Sequence, residues 1–193
     1  MVSKIKIVVL FSGSGTNLEN LIKYFHCKRF QDKKTEIIPI TNRPNAKGIE
    51  RAKKYGIETI IIDHKEFKNR EDFDTKLVEV IKSIDPSLVV AAGFMRILTP
   101  IFTDQIKAIN LHPSLLPLFK GANAIEESFN SQMRVGGVTV HWISPELDSG
   151  EIIEQGCIKK IRGETLEEFK QRVHELEYTI LPKSIKYILN LKD

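Results

Sequence analysis

The first half of the chain alternates between short apolar runs and amphipathic stretches. The apolar runs predict buried strands at residues 5–11, 37–40, 59–62, 88–92 and 109–111. The amphipathic stretches predict helices at residues 17–25, 46–55, 70–84 and 103–106, with Asn45 and Asn69 as N-caps. This alternation predicts an α/β fold in which helices flank a mostly parallel sheet, and it places ligands beyond the carboxyl ends of the strands.

The pattern changes in the second half of the chain. Residues 138–143 alternate with period two and residues 151–161 form a second extended run, so non-parallel strands are predicted there. A final helix is predicted to begin at Thr165, where Glu168 completes a capping box, and to bend at Pro182. No internal repeat or linker is visible, so one domain over residues 1–193 is the simplest interpretation.

Composition and charge narrow the class of protein. The net charge is +4, and the 29 basic and 25 acidic residues are interspersed, which suits small anionic substrates. A nucleic-acid partner is not expected, because no basic stripe with interleaved aromatic residues is present. Cys27 and Cys157 lie far apart without metal-ligand spacing, and no apolar run approaches the roughly 20 residues of a membrane span. A cytoplasmic chain without metal or membrane contact is therefore expected; its oligomeric state is unknown from the sequence.

Residues 12–17 form a glycine-rich loop, Ser-Gly-Ser-Gly-Thr-Asn, between the first strand and the first helix. Free backbone N–H groups and the positive end of a helix make such a loop an anion site. The dinucleotide fingerprint fails because Leu18 replaces its third glycine, and the Walker pattern lacks Gly-Lys-Ser/Thr. A cradle for a phosphate monoester is favoured; the alternative is a tight turn in which Thr16 or Asn17 only caps the helix.

Asn110 and His112 end the fifth predicted strand, where alternation puts both side chains on the same side. An amide donor beside an imidazole suits acyl transfer, which must stabilise an oxyanion and move a proton. Asp148, in a loop between the late strands, could orient His112 and favour its charged form, or could be an ordinary turn residue. No Ser or Cys nucleophile with a base is apparent, which favours direct transfer. His141 is interpreted as a partly exposed structural histidine, with a supporting role in the site as the alternative.

Residues 93–98, Gly-Phe-Met-Arg-Ile-Leu, follow the fourth predicted strand at the same sheet edge. Apolar side chains and exposed backbone groups in such a loop would accommodate a flat heterocycle. The alternative is a hydrophobic connection that covers the core, with Arg96 in solvent.

Taken together, residues 12–18, 93–98, 110–117 and 146–150 resemble the phosphoribosylglycinamide formyltransferases, and the resemblance covers nearly the whole chain. It implies a Rossmann-like formyltransferase fold. It also implies 10-formyltetrahydrofolate as co-substrate, without a metal, and the amine of 5-phosphoribosylglycinamide as acceptor in de novo purine biosynthesis. The small-molecule partners would be this ribonucleotide and the folate.

The same resemblance assigns roles to individual residues. The phosphate-binding half would be about 1–90, and the folate-binding and catalytic half about 91–193. The acceptor phosphate would be held by Gly15, Thr16 and Asn17, and its ribose by Glu177. The folate site would be lined by Arg70, Met95, Arg96, Ile97, Leu98 and Asn110. Catalysis would fall to Asn110, His112 and Asp148.

One segment departs from the family pattern. Where the family usually has Gly-x-His, this chain has Gly121-Ala122-Asn123, which is similar to formyltetrahydrofolate deformylase and to methionyl-tRNA formyltransferase, so the role of Asn123 stays open. Those enzymes carry an additional domain, for which we expect no room in 193 residues. The alternatives are thus a deformylase-like hydrolase and a non-catalytic folate or nucleotide sensor, which could have lost Asn110, His112 or Asp148.

Overall fold

The computed structural model describes residues 3–192. The chain forms two compact units, the first of Met1–Ala108 with Ile188–Asp193 and the second of Ile109–Tyr187. The predicted single domain, with halves divided at about residue 90, stays a prediction.

The first unit contains a mostly parallel sheet with helices between its strands. Its strands are β1 (Ser3–Phe11), β2 (Arg29–Phe30), β3 (Lys33–Thr41), β4 (Ile60–Ile61) and β5 (Leu88–Ala92). Their order is β2-β3-β1-β5, with β4 also beside β3. The pairs β1–β3, β1–β5 and β3–β4 are parallel, whereas β2 runs antiparallel to β3. The helices are α1 (Thr16–Phe25), α2 (Gly48–Lys53), α3 (Arg70–Ile84) and α4 (Pro100–Thr103). The predicted α/β fold is confirmed.

The carboxyl ends of β1, β3 and β5 lie at one edge of this sheet. The last five residues of β1 and all of β5 are buried, as expected for parallel strands covered on both faces. Because β1 is parallel to both neighbours, the residues that follow these strands, Ser12, Asn42 and Gly93, leave the sheet at the same edge. This edge carries both loops that the sequence marks as ligand sites.

The second unit is built on antiparallel strands. They are β6 (Ala108–His112), β7 (Val135–Trp142) and β8 (Ile152–Lys159), and they are accompanied by α5 (Ala124–Asn130) and α6 (Leu166–Ile188). β7 pairs antiparallel with both β6 and β8. The prediction of non-parallel late strands is therefore confirmed.

Two of the predicted helix caps are present. The Asn69 side chain accepts a hydrogen bond from the backbone N of Asp72 at 2.7 Å, at the start of α3. At the start of α6, Glu168 accepts from the backbone N of Thr165 at 2.7 Å, and Thr165 accepts from the backbone N of Glu168 at 3.3 Å. Both caps satisfy helix N–H groups locally, which is why the sequence reveals them. α6 includes Pro182, and the predicted bend there stays a prediction.

Other predicted elements are corrected. Asn45 is not an N-cap, because α2 begins only at Gly48, after Lys47, and without a side-chain cap. The helix predicted at 103–106 is instead α4, which begins at Pro100, where the fixed φ of proline suits the first helical turn. β4 is shorter than the predicted strand and is not fully buried, since Ile61 is 46% exposed. β2 and α5 were not predicted.

No helix within residues 3–192 has the length and apolar character required to cross a membrane.

Candidate active site

The strand pair β6–β7 sets the positions of two polar pairs in the second unit. Asn110 lies opposite His141 and His112 lies opposite Thr139 in the antiparallel register. Since side chains alternate along a strand, Asn110 and His112 project from the same face of β6. His112, Thr139 and His141 are all buried, whereas Asn110 is partly accessible. An accessible amide therefore stands beside an enclosed imidazole.

Asp148 reaches this pair from the loop between β7 and β8. Its backbone is left-handed with φ 48°, a conformation that Asp tolerates better than most residues. The loop lies tightly against β7, because a Cβ on Gly150 would be 1.7 Å from the Trp142 carbonyl oxygen. Asp148 is only 8% exposed, and glycine at position 150 is thus required for the approach that brings the carboxylate inward.

The structure brings Asn110, His112 and Asp148 together. The Oδ2 atom of Asp148 is 3.5 Å from Nδ1 of His112, and its Oδ1 atom accepts from Nδ2 of Asn110 at 3.4 Å. Oδ2 also accepts from the backbone N of Gly121 at 2.8 Å. The fixed carboxylate beside the imidazole sets the orientation of the His112 ring.

The segment after β6 folds back over His112. Nε2 of His112 lies 2.8 Å from the Phe119 carbonyl oxygen, and Oγ of Ser114 donates to the Leu118 carbonyl at 2.6 Å. The segment contains a cis peptide bond, Leu116–Pro117, and two positive φ angles, at Phe119 and Gly121. With the Phe119 carbonyl on one ring nitrogen and Asp148 near the other, the imidazole is held at both ends.

Thr139 and Gln155 anchor the same segment to the sheet. Thr139 Oγ1 donates to the Ser114 carbonyl at 2.7 Å and accepts from the backbone N of Leu116 at 3.0 Å. Gln155 Nε2 donates to the Leu116 carbonyl at 3.0 Å and to Thr139 Oγ1 at 2.9 Å. Sequence reasoning assigned no role to this pair, because its function depends on strand pairing.

His141 belongs to the site, and its interpretation as a partly exposed residue is wrong. It is 2% exposed, its Nδ1 lies 2.9 Å from the Trp142 carbonyl oxygen, and its Nε2 lies 3.2 Å from Nδ2 of Asn110. Burial lowers the pKa of His141 below its ordinary value of 6.5, against smaller raising effects from the Trp142 carbonyl and Asp148. In the neutral ring, Nδ1 donates to Trp142, so Nε2 accepts from Asn110. The alternation of Thr139 and His141 along β7 was the available signal.

This lowered pKa predicts that acid weakens folding through His141. The unfolded chain binds the proton near its ordinary pKa of 6.5, whereas the folded chain binds it only at lower pH, so the contribution to stability is complete above 6.5 and declines below it. The fall in melting temperature between about pH 7.5 and about pH 5.5 should be smaller for His141→Gln than for the unchanged protein. An equal fall in both proteins would show that His141 titrates normally in the folded state.

The structure shows the surroundings of Gly121-Ala122-Asn123, the segment that differs from the family pattern. Gly121 contributes its backbone N–H to Asp148, a contact that any residue able to adopt φ 87° could make. Asn123 is exposed and precedes α5, whose backbone N of Glu127 donates to its carbonyl at 2.9 Å. The side chain of Asn123 makes no capping hydrogen bond to α5.

In the first unit, the glycine loop ends on α1. Gly15 is the N-cap, with φ 69°, and a Cβ there would lie 2.5 Å from the Gly48 Cα. The alternative in which Thr16 or Asn17 caps the helix is therefore wrong; both lie inside its first turn. The loop is held by the Gly48 N–H, which donates to the Gly13 carbonyl at 3.1 Å. This arrangement directs the amino end of α1 towards the loop, as an anion site requires.

Residues 93–98 lie in the same unit. The Phe94 ring stacks on Phe73 at 6.5 Å, and the Arg96 guanidinium carbon lies 4.7 Å from the Phe73 ring centroid. Arg96 is thus half-buried on an aromatic face, which contradicts the alternative that placed it in solvent. Met95 and Ile97, two positions apart in this segment, are large apolar residues that are 61% and 51% exposed.

The remaining predicted residues divide between the units. Arg70 is exposed at the start of α3 in the first unit, and Leu98 lies beside Thr99, which precedes α4. Glu177 is in α6 of the second unit, only 4% exposed, with Nδ1 of His174 at 2.9 Å from its Oε2. This hydrogen bond raises the pKa of His174. Among residues 3–192, no group of three or more His, Cys, Asp or Glu side chains is arranged to hold a metal ion.

Comparison with known proteins identifies the family of the chain. The family model described as formyl transferase matches residues 5–185. Because the match extends over most of the chain, the chain belongs to the formyl transferase family.

Comparison with individual relatives shows to which group within this family the chain belongs. The phosphoribosylglycinamide formyltransferase of Bacillus subtilis is 33% identical over 190 residues, which cover 97% of this chain and 96% of the relative. The crystal structure of the Campylobacter jejuni phosphoribosylglycinamide formyltransferase is 53% identical, with a TM-score of 0.94 over 98% of this chain and 100% of that one. The chain is also 38% identical to the trifunctional purine biosynthetic protein adenosine-3 of Gallus gallus, of whose length it spans only 18%. Within the family, the chain belongs to the phosphoribosylglycinamide formyltransferases.

Proposed function

We propose that this chain transfers the formyl group of 10-formyltetrahydrofolate to the amine of 5-phosphoribosylglycinamide, in de novo purine biosynthesis. The observation that carries the proposal is the arrangement of Asn110, His112 and Asp148, which are linked by contacts of 3.4 and 3.5 Å through one carboxylate. This is a set of groups for acyl transfer, and it lacks a covalent nucleophile.

The reaction begins when the acceptor amine attacks the formyl carbon. A bond forms between the amine nitrogen and this carbon, and the carbonyl oxygen becomes an oxyanion. Asn110 stabilises the oxyanion with an amide hydrogen, and His112 stabilises it with its Nε2–H once the substrate oxygen replaces the Phe119 carbonyl as the acceptor. Nδ2 of Asn110 carries two hydrogens, of which one is directed to His141; the other faces Asp148 at the longer distance of 3.4 Å and is available to the substrate.

The tetrahedral intermediate then collapses. The bond from the carbon to N10 of the folate breaks, N10 takes a proton, and the amine nitrogen loses one, so the products are the formamide and tetrahydrofolate. His112 would carry a proton between these atoms, with Asp148 keeping its ring in position. Direct transfer of this kind needs both substrates in the site at once.

Loops at the sheet edge of the first unit would hold the substrates. We assign the acceptor phosphate to the acceptor loop, defined as residues 13–17, in which Gly15, Thr16 and Asn17 offer backbone N–H groups at the start of α1. We assign the folate to the donor loop, defined as residues 93–98, together with Arg70 and Asn110. Glu177 would bind the ribose hydroxyls of the acceptor. No metal enters this mechanism.

The two cysteines bear on the cellular compartment of the protein. Cys27 and Cys157 are free thiols, which supports a reducing compartment, and we propose the cytoplasm. The proposed partners are the ribonucleotide and the folate, without nucleic acid or membrane.

Asp148→Asn tests the role of the carboxylate. The change keeps the shape of the side chain but removes the charge beside His112. Turnover should fall by about 10- to 100-fold, because only part of the rate gain from positioned proton transfer is lost. Asp85→Asn is the matched control, because Asp85 has the same left-handed backbone, with φ 53°, and lies in the first unit. Unchanged turnover in folded Asp148→Asn would make Asp148 an ordinary turn residue.

A product assay tests the proposed acceptor. The purified protein should convert 5-phosphoribosylglycinamide to its N-formyl derivative in the presence of 10-formyltetrahydrofolate, as detected by mass spectrometry. It should leave methionyl-tRNA unformylated, because a tRNA acceptor requires phosphate contacts over a broad basic surface. Formylation of methionyl-tRNA in place of the ribonucleotide would contradict the proposal.

A further inference from the structure

The buried hydroxyl group of Ser12 connects the acceptor loop and the donor loop. Ser12 is 1% exposed and lies between the end of β1 and the acceptor loop. Its Oγ accepts from the backbone N of Met95 at 2.8 Å, and its own backbone N donates to the Gly93 carbonyl at 3.0 Å. Ser12, which immediately precedes the acceptor loop, therefore fixes the first turn of the donor loop through two hydrogen bonds.

The hydroxyl hydrogen of Ser12 has a defined acceptor. It is donated to Oδ1 of Asn42 at 2.6 Å, and Asn42 is itself 1% exposed at the end of β3. Nδ1 of His64 lies 2.7 Å from the Asn42 carbonyl oxygen, which holds Asn42 in place. Because Asn42 takes the hydroxyl hydrogen, the Ser12 oxygen presents a lone pair to Met95. The contact with the donor loop is thus directional.

The acceptor loop also accepts hydrogen bonds from α2, and these do not involve the donor loop. The Gly13 carbonyl accepts from the N–H of Gly48, and the Ser14 carbonyl accepts from Nε of Arg51 at 2.8 Å. Both donors belong to α2. A shift of the acceptor loop around a bound phosphate would therefore reach the donor loop through Ser12.

We propose that Ser12 is a positioning residue shared by the acceptor and donor loops, and that it couples binding of the ribonucleotide to binding of the folate. The inference rests on the proposed function, since it takes residues 13–17 as the phosphate site and residues 93–98 as the folate site. Each substrate would order its own loop, and Ser12 would transmit that order to the other loop, so the first substrate to bind reduces what the second must organise. Coupling of this kind suits direct transfer, which requires both substrates together.

The coupling is measurable with an unreactive pair, the ribonucleotide and tetrahydrofolate. Calorimetric titration gives the ribonucleotide dissociation constant with and without saturating tetrahydrofolate, and the ratio of the two is the coupling factor. For the unchanged protein we expect a factor on the order of 5 to 100. Ser12→Ala removes the shared oxygen and should bring the factor below about 2.

Thr35→Val is the matched control. Thr35 is also a fully buried hydroxyl in the first unit, and it donates to the Phe25 carbonyl, but it lies near the amino end of β3, away from the two loops. This variant should lower the melting temperature and leave the coupling factor unchanged. A general loss of stability would instead affect Ser12→Ala and Thr35→Val alike.

A second variant covers the case in which Ser12→Ala does not fold. Asn42→Ala removes the acceptor of the hydroxyl hydrogen, so Ser12 can rotate away from Met95, and the coupling factor should again fall. A wild-type factor in either folded variant, or a factor near 1 in the unchanged protein, would overturn the inference. If the unchanged protein binds no ribonucleotide at all, the proposed function itself is wrong, which separates the two failures.

Discussion

Replacing His112 with alanine is expected to lower turnover by roughly 100- to 1,000-fold, because one donor to the developing oxyanion is lost. Asn110→Ala should cause a loss of similar size for the same reason. Asn110 and His112 lie two residues apart on β6 and both contact Asp148, and on this geometry we propose that they act on one atom of the substrate. Steady-state turnover with both substrates saturating is the measurement.

Folding must be controlled in these variants, since His112 is buried and anchors the Phe119 carbonyl. Circular dichroism and the melting temperature should remain close to those of the unchanged protein. His26→Ala is a suitable comparison, because Nδ1 of His26 accepts from the backbone N of Ile37 at 3.3 Å, in the first unit. Near-normal turnover of folded His112→Ala and Asn110→Ala would end the assignment of both residues to catalysis.

Gly15→Ala is expected to raise the acceptor Michaelis constant by roughly 10- to 150-fold, the equivalent of one charge-assisted hydrogen bond of about 1.5–3 kcal/mol. The added Cβ would lie 2.5 Å from the Gly48 Cα, and the backbone at Gly15 has φ 69°, so the loop must move. Movement displaces the N–H groups that we assign to the phosphate. The folate Michaelis constant should rise less, by no more than the coupling through Ser12 transmits to the donor loop.

Gly56→Ala separates this effect from ordinary backbone strain. Gly56 has nearly the same φ, 70°, but nothing lies within 4 Å of its Cβ position. Both variants therefore strain the backbone, and only Gly15→Ala crowds the acceptor loop. Equal increases in the two Michaelis constants of Gly15→Ala would indicate misfolding and not a phosphate site.

The elements that the sequence predicted well carry local signals. α3 spans residues 70–84 as predicted, because Asn69 caps its first turn and Pro86 disfavours helical geometry at Asp85. β5 spans residues 88–92 as predicted, because a short apolar run bounded by a proline and a glycine has few other interpretations. In both cases the decisive residues are neighbours in the chain.

The elements that were missed depend on contacts between distant residues. β2 has two residues and exists only through its pairing with β3. His141 was misjudged for the same reason: its burial comes from pairing with Asn110 across β6 and β7 and from the Asp148 loop. Strand alternation showed which side of β7 it faces, but not that this side is enclosed.

The most direct test of the central claim is the dependence of tetrahydrofolate release on the acceptor. Release from 10-formyltetrahydrofolate is followed spectroscopically, with the purified protein, in the presence and absence of 5-phosphoribosylglycinamide. Because the attacking group is the ribonucleotide amine, release should require the ribonucleotide and be negligible with water alone. Comparable release without the ribonucleotide would contradict formyl transfer and identify a hydrolase of the deformylase kind.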